Sequence, residues 1–241
     1  MKEPIKKKNE NQKVTEVTTN SVQFVIKQVN ENLIITTNKS AKQAKNQIIN
    51  QAFKYHSQNN IQEAAKYYKF LINNGLADHR IFSNYGIILK DLGNFKKAEI
   101  YSRKAIKINR NYADAHSNLG LILSYLGKSK EAEISLRKAI QLNPSLAEAH
   151  CNLGRIQIDF GNFKDAELSL RKAIELKPNL VKSHFLLASI FIQEERLTEA
   201  EMPLRKAIEL NPDIADFHSN LGLILSYLGQ SEEAELSFKK A

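Results

Sequence analysis

The sequence has little of what would indicate a disulfide-bonded, membrane-spanning or secreted protein. It contains one cysteine, Cys151, which excludes an intramolecular disulfide framework. No stretch approaches about 18 uncharged apolar residues, so no transmembrane helix and no membrane insertion are predicted. The lysine-rich N-terminus is not followed by an apolar segment, and it therefore does not resemble a secretory signal. We predict a cytoplasmic protein.

Catalytic signatures are also missing from the sequence. We find no phosphate-binding loop, no nucleophile elbow, no zinc-ligand spacing and no paired carboxylates. Four evenly spaced histidines could suggest a metal site: His116, His150, His184 and His218. If each belongs to a separate helical unit, neighbours lie about 10 Å apart, whereas zinc ligands lie about 2 Å from one ion. We therefore predict packing histidines, an inert Cys151, no cofactor and no enzymatic activity.

The net charge of +9 could indicate nucleic-acid binding, but its distribution favours another interpretation. A basic pair recurs through the chain, and a glutamate stands four residues before its first member, as in Glu133 and Arg137. This spacing stabilises a helix by about 0.2–0.5 kcal/mol per pair. We predict a solvated, ion-paired helix face and no nucleic-acid partner; salt-dependent binding would indicate the alternative.

The dominant feature that is present is a repeat of 34 residues. Pro144, Pro178 and Pro212 are each 34 residues apart, and glycines and alanines follow the same step. Fixed-period self-similarity is typical of solenoids, whose units bury apolar faces by stacking on their neighbours. The chain is therefore predicted to be a binding surface.

One unit, residues 113–146, predicts two helices. Apolar and small residues recur at helical spacing from His116 to Leu123 and again from Ala132 to Ile140. Gly127 suits the left-handed position after the first helix. Asn143 precedes a proline and should end the second. Gly120 and Ala132 should let the two helix backbones approach closely.

The residues before each first helix, and one proline inside a second helix, lead to two further predictions. Ser145 is predicted to cap the helix that follows it, with Asn111, Asn179 and Asp213 in the equivalent places. Pro203 falls inside the second helix of the fifth unit, and because an interior proline loses a backbone hydrogen bond we expect a kink there.

The pattern resembles the tetratricopeptide repeat (TPR). The family's Leu-Gly, Ala, Leu, Ala and Pro positions correspond to Leu153-Gly154, Ala166, Leu170, Ala173 and Pro178. This resemblance implies an all-α fold, a right-handed α-solenoid of antiparallel helix pairs. The predicted units are 45–78, 79–112, 113–146, 147–180, 181–214 and a partial one at 215–241.

The N-terminal segment differs from the repeats. Residues 1–44 are basic and poor in apolar side chains near the start, which predicts a disordered tail. Residues 21–36 are more apolar and fit either a strand or a helix. The first repeat helix is predicted to run from Ala41 to about Ser57, with Ser40 as its cap.

A candidate binding face lies on the first helix of each unit, at positions two, six, nine and thirteen. Position six is asparagine in five of six units, although asparagine is a mediocre helix former. Its amide can both donate and accept hydrogen bonds toward a peptide backbone. The predicted groove residues are Asn50, Asn84, Asn118, Asn152, Asn220, Arg80, Leu121, Tyr125, Arg155 and Tyr227. Alternatively, each asparagine bonds a neighbouring helix and orients the stack.

The resemblance implies that first helices line the concave side, and similar asparagine ladders hold target peptides in O-linked N-acetylglucosamine transferases. Some TPR domains clamp a C-terminal carboxylate, but Glu148 occupies the place of a required lysine.

The leading hypothesis is a non-catalytic scaffold or adaptor that binds a protein or peptide in the concave groove. The alternative is the substrate-targeting portion of a glycosyltransferase or other transferase. Because the chain stops within a predicted helix, self-association through the uncapped C-terminal repeat is a third expectation.

Overall fold

The computed structural model describes residues 41–241, with side chains from Lys45 onward. Residues 1–40 of the predicted tail, with the ambiguous segment at 21–36 and the predicted cap Ser40, lie outside the described residues. Within the described part, every regular element is an α-helix. The chain divides into an N-terminal body ending at Leu76 and a main body, Ala77–Ala241.

The N-terminal body contains two helices, α1 (Ala41–Ser57) and α2 (Ile61–Asn73). The bounds of α1 confirm the predicted helix. The two helices pack through Ala52, Ala64 and Tyr68, which are fully buried. The Tyr68 ring lies 6.1 Å from that of Phe53, and Asn60 caps α2 by accepting a hydrogen bond from the Glu63 amide.

The main body contains ten helices that pack as successive antiparallel pairs. They are α3 (His79–Asp91), α4 (Phe95–Ile108), α5 (Ala113–Tyr125), α6 (Ser129–Leu142), α7 (Ala147–Asp159), α8 (Phe163–Leu176), α9 (Val181–Gln193), α10 (Leu197–Leu210), α11 (Ala215–Tyr227) and α12 (Ser231–Lys239). Each helix packs on the next one in the chain. The predicted all-α solenoid is confirmed.

Small residues allow the close crossing within each pair. A Cβ built on Gly120 would lie 2.6 Å from Leu136 Cγ and 3.1 Å from the Ala132 carbonyl oxygen. Real Cβ atoms do not approach other atoms this closely, so only glycine fits without movement. Ala132, Leu136 and Ala139 on the facing helix are fully buried. The predicted contact between Gly120 and Ala132 is confirmed.

The four helix caps predicted within the main body are wrong. Leu146 occupies the N-cap of α7, one residue after Ser145, and no side chain caps this helix. The same shift by one residue applies to Asn111, Asn179 and Asp213. The side chain of Asn143 instead accepts a hydrogen bond from the Ser145 amide at 3.1 Å, so a turn before the helix satisfies the backbone.

The row of histidines fixes the connections between units. Nε2 of each histidine donates to the carbonyl oxygen six residues earlier, at 2.9 Å from His116 to Arg110 and 2.9 Å from His150 to Pro144. The corresponding distances are 2.7 Å from His184 to Pro178 and 2.8 Å from His218 to Pro212. His184 and His218 are buried. These histidines pack, as predicted, and they also hold the linker carbonyl in place.

Glu195 and Pro203 of the fifth unit depart from the repeat pattern, but the helical repeat continues through both. Gly127 has φ 72°, as expected for the residue after a helix, and Glu195 has φ 58° at the equivalent place in the fifth unit. α10 continues from Leu197 to Leu210 with Pro203 inside it. The proline therefore does not divide the helix, and a kink there stays a prediction.

Candidate functional site

The first helices of successive units form one continuous wall. α3 contacts α5, α5 contacts α7, and α7 contacts α9, in addition to the contacts within each pair. The second helices lie behind this wall. We call the surface of α3, α5, α7 and α9 that faces away from the second helices the first-helix wall.

Two predicted asparagines bridge neighbouring helices of this wall. Asn118 Nδ2 on α5 donates to the Ser83 hydroxyl on α3 at 2.9 Å. Asn152 Oδ1 on α7 accepts from Lys182 Nζ on α9 at 3.4 Å. Asn152 is buried and Asn118 is half-buried. Both side chains therefore take part in stacking, the alternative role considered for them, while lying on the wall.

The other asparagines are placed differently. Asn84 is half-buried on α3, and Asn220 Nδ2 on α11 donates to the Asp216 carbonyl of its own helix at 2.8 Å. Asn50 is exposed and belongs to the N-terminal body. The wall helices thus carry Asn84, Asn118 and Asn152. Asn220 lies on α11 and Asn50 on α1, outside the wall as defined.

Aromatic and aliphatic side chains of the predicted groove are accessible. Tyr125 ends α5 at the edge of the wall; it is 55% exposed and stacks on Phe95, the first residue of the second helix α4, with ring centroids 5.1 Å apart and planes inclined by 11°. The Arg155 guanidinium lies 6.0 Å from the Tyr125 centroid. Leu121 is half-buried, and Tyr227 on α11 is 78% exposed. A partner can therefore reach aromatic surface without prior movement.

Both predicted arginines have local partners. Arg80 Nη2 lies 2.8 Å from Asp78 Oδ2, while Asp78 also caps α3 by accepting from the Arg80 amide. Arg155 donates to the Ser124 hydroxyl on α5, and its Nη1 lies 3.7 Å from Asp159 Oδ2. Arg155 thus reaches back across the wall toward α5.

A lysine that the sequence analysis did not select lies on this wall. Lys182 stands at position two of the fifth unit and is half-buried beside Asn152. Burial lowers its pKa, and the nearby charges of Arg155 and Lys90 lower it further, although Cys151 raises it when ionised to the thiolate. Comparing the residues at position two of every unit would have identified this lysine.

The opposite side of the main body carries the predicted ion pairs. All five lie within 3 Å: Glu99–Arg103, Glu133–Arg137, Glu167–Arg171, Glu201–Arg205 and Glu235–Lys239. Pairs between units, such as Arg103–Glu131 at 2.7 Å, extend them. An aliphatic row that the sequence analysis missed lies beside these pairs, each member more than half exposed: Ile100, Ile134, Leu168, Met202 and Leu236.

Residues 45–241 offer no cluster of metal ligands. None of the helices described is long and apolar enough to cross a bilayer. Cys151 is buried, and burial raises the pKa of its thiol, which makes the reactive thiolate scarcer.

Antiparallel helix pairs stacked with a 34-residue period define a helical-repeat protein with an extended interaction surface. Models of the tetratricopeptide repeat family match residues 79–112, 113–146, 147–180, 181–214 and 204–235. These matches span more than half of the sequence, and the chain belongs to this family. No curated protein matches it.

Several solved structures share the fold at low sequence identity. PilF of Pseudomonas aeruginosa is 17% identical with a TM-score of 0.72, over 83% of this chain and 90% of that one. TTC0263, a TPR protein of Thermus thermophilus, is 19% identical with a TM-score of 0.64, over 76% and 99%. YrrB, described as a TPR protein with an unusual peptide-binding site, is 23% identical with a TM-score of 0.56, over 73% and 91%. The specific resemblance to transferase repeats stays a prediction.

Proposed function

We propose that this protein is an interaction scaffold that binds an extended peptide, or an extended segment of a protein, along the first-helix wall. The observation that carries the proposal is the arrangement of Asn118 and Asn152 on consecutive wall helices, together with the accessible ring of Tyr125 two helical turns after Asn118 on α5. Polar amides beside an aromatic anchor suit an extended chain, whose backbone alternates donors and acceptors.

The hydrogen bonds that Asn118 and Asn152 make to neighbouring helices leave other donors and acceptors of their amides unused. An asparagine amide offers two donors and an acceptor with two lone pairs. Asn118 uses one donor toward Ser83, and Asn152 uses its oxygen toward Lys182. Each side chain is therefore oriented by its neighbour and retains groups for a partner, so stacking and binding are compatible roles.

The test measures binding and stability on the same variants. A randomised peptide library is selected on the wild-type chain, and the best peptide is titrated into Asn118→Ala and Asn152→Ala. We expect each variant to lose about 3–10-fold in affinity, the value of one hydrogen bond. Leu168→Ser, on the opposite side of the main body, is the matched control and should bind as wild type does. Reduced stability with unchanged affinity would assign the asparagines to stacking alone.

A second role is favoured by the recurrence of asparagine at position six, the feature shared with transferase repeats. In this role the wall would select substrates for a catalytic domain carried by the same polypeptide. An immunoblot of native extract separates the two roles, since a band tens of kilodaltons above 27.4 kDa supports the targeting role. The absence of enzymatic activity in this chain, a cytoplasmic location, the lack of a nucleic-acid partner and self-association through the C-terminal repeat also stay predictions.

A further inference from the structure

We propose that the aliphatic row on the second helices is the interface of a homodimer, in which a second copy of this chain lies along the row in the opposite direction. The row has one member on each second helix of the main body: Ile100, Ile134, Leu168, Met202 and Leu236. This surface is separate from the first-helix wall, and a dimer formed through it is a property beyond peptide binding. The charges around the row identify the partner as a second copy.

The net charge of the second helices falls along the row. α4 has five cationic and one acidic side chain, α6 three and two, α8 three and three, and α10 two and three. Together with Lys240, the residue that follows it, α12 has two cationic and three acidic side chains. The net charges from α4 to α12 are therefore +4, +1, 0, −1 and −1.

The gradient arises at exposed positions next to the row. Residues three, four and seven apart share a helix face, so these positions surround each row member. Four residues before the row members stand, in order, Lys96, Lys130, Lys164, Thr198 and Glu232. Lys97 and Lys107 on α4 likewise give way to neutral or acidic residues on the later helices. The charge next to the aliphatic side chain thus changes from basic to acidic along the row.

The charges that stay constant from unit to unit are largely satisfied within their own helices. The glutamate before each row member pairs with the arginine or lysine three residues after it, as in Glu167 and Arg171 at 2.8 Å. The next lysine pairs one turn on in α8 and α10, where Lys172 lies 2.7 Å from Glu175 and Lys206 lies 2.7 Å from Glu209. The changing positions are therefore the ones that distinguish one direction of a partner from the other.

A two-fold interface must be complementary to itself. If the two rows ran in the same direction, α4 would face α4 of the second copy, and the most basic helices would meet. If they run in opposite directions, α4 faces α12, α6 faces α10, and the neutral α8 faces itself. Opposite net charges then meet at both ends, so the gradient favours the antiparallel arrangement.

This symmetry places particular side chains opposite one another. Leu168 lies at the two-fold axis and faces Leu168 of the second copy, while Ile134 faces Met202. The facing second helices run in the same direction, so residues at equivalent places in their helices meet. Lys96 on α4 therefore faces Glu232 on α12 of the second copy, and both side chains are exposed in the single chain.

The shape of this side limits the strength of the dimer. Successive first helices contact one another more extensively than successive second helices do, so the second-helix side is the wider one and curves outward. The closest contact is therefore at α8, and the outer helices act through charge, whose range is about 10 Å at 0.1 M salt. We expect a small, reversible interface with a Kd in the micromolar range.

Sedimentation equilibrium of the full chain at rising concentration tests the dimer. The mass should rise from 27.4 kDa to twice that value and stop there, because a two-fold interface closes on itself. Leu168→Asp should weaken dimerisation about 100-fold or more, since each dimer loses two buried leucines and brings two carboxylates together. Leu223→Asp makes the same substitution at a leucine of α11 that is 51% exposed, and this matched control should dimerise as wild type does.

Exchanging charges at the two ends tests the direction. Lys96→Glu and Glu232→Lys should each weaken dimerisation about fivefold, because each places like charges opposite one another twice in the dimer. The double variant restores opposite charges and should return to within about twofold of wild type. Both positions are exposed, so these variants should fold normally.

Each remaining outcome overturns a stated part of the proposal. A mass of one chain at every concentration would overturn the dimer, and equal losses in Leu168→Asp and Leu223→Asp would overturn the row as its interface. Stronger dimerisation of Lys96→Glu, or a double variant no better than the single ones, would overturn the antiparallel direction. Growth beyond two chains would assign association to end-to-end stacking through the C-terminal repeat instead.

Discussion

Substituting Gly154 tests the helix crossing on which every unit depends. A Cβ at this position would lie 2.7 Å from Leu170 Cγ, 2.9 Å from Leu170 Cδ2 and 3.3 Å from the Ala166 carbonyl oxygen. Leu170 and Ala166 are fully buried, so neither moves freely. Gly154→Ala should therefore introduce about 1–3 kcal/mol of overpacking strain.

The net effect is smaller because alanine is the better helix former. Replacing an interior helical glycine by alanine gains about 1 kcal/mol. The expected result for Gly154→Ala is a loss of about 1 kcal/mol in the free energy of unfolding, and Gly154→Leu should lose about 3 kcal/mol or more. Urea unfolding followed by circular dichroism measures both. A gain of about 1 kcal/mol for Gly154→Ala would refute the close-crossing argument.

The fifth unit supplies the matched control. Ala188 occupies the position equivalent to Gly154, and its neighbour Leu204 is fully buried. This crossing already accommodates a Cβ, so Ala188→Gly should lose about 1 kcal/mol of helix propensity. In a Leu170→Ala background, Gly154→Ala should become stabilising, because the two Leu170 atoms that the new Cβ meets most closely are gone.

Three further changes should shift the unfolding midpoint in thermal or urea denaturation. Glu195→Gly should stabilise by about 1 kcal/mol, because a side chain in the left-handed region costs about 1–2 kcal/mol; an unchanged midpoint would show that this residue is unstrained. His184→Leu should destabilise by about 1–2 kcal/mol, because the Pro178 carbonyl loses its donor, and a neutral effect would remove the linker role of the histidine. Pro203→Ser should stabilise by about 1–3 kcal/mol by restoring a helical hydrogen bond, whereas a loss of stability would show that the proline is favourably packed.

The fold could be predicted from the sequence because its main signals are local. The helical spacing around Gly120 and the glycine at position 127 set the limits of α5, and Asn143 before a proline set the end of α6. The caps could not be predicted in the same way. Ser145 is a good capping residue by type, but the turn formed by Asn143 and the hydrogen bond from His150 to Pro144 place the helix start one residue later.

The candidate site was predicted only in part, because burial depends on neighbouring units. Position six pointed to Asn118 and Asn152, but their bonds to Ser83 and Lys182 cross between helices and leave no local pattern. The place of Lys182 at position two of its unit could have selected it, but its burial could not be predicted from the sequence. Its half-burial and its lack of a carboxylate partner among the described residues arise only when α9 packs on α7.

Crosslinking can show whether a peptide binds on the first-helix wall or on the opposite side of the main body. A photoreactive benzophenone side chain placed at Tyr125, on the wall, and at Ile134, on the opposite side of the same unit, tests it directly with the best peptide from the library. Both native side chains are more than half exposed, so the two probes are comparably accessible. We predict that the peptide crosslinks from position 125 and not from position 134. Crosslinking from position 134 alone would contradict this prediction and assign binding to the exposed aliphatic row.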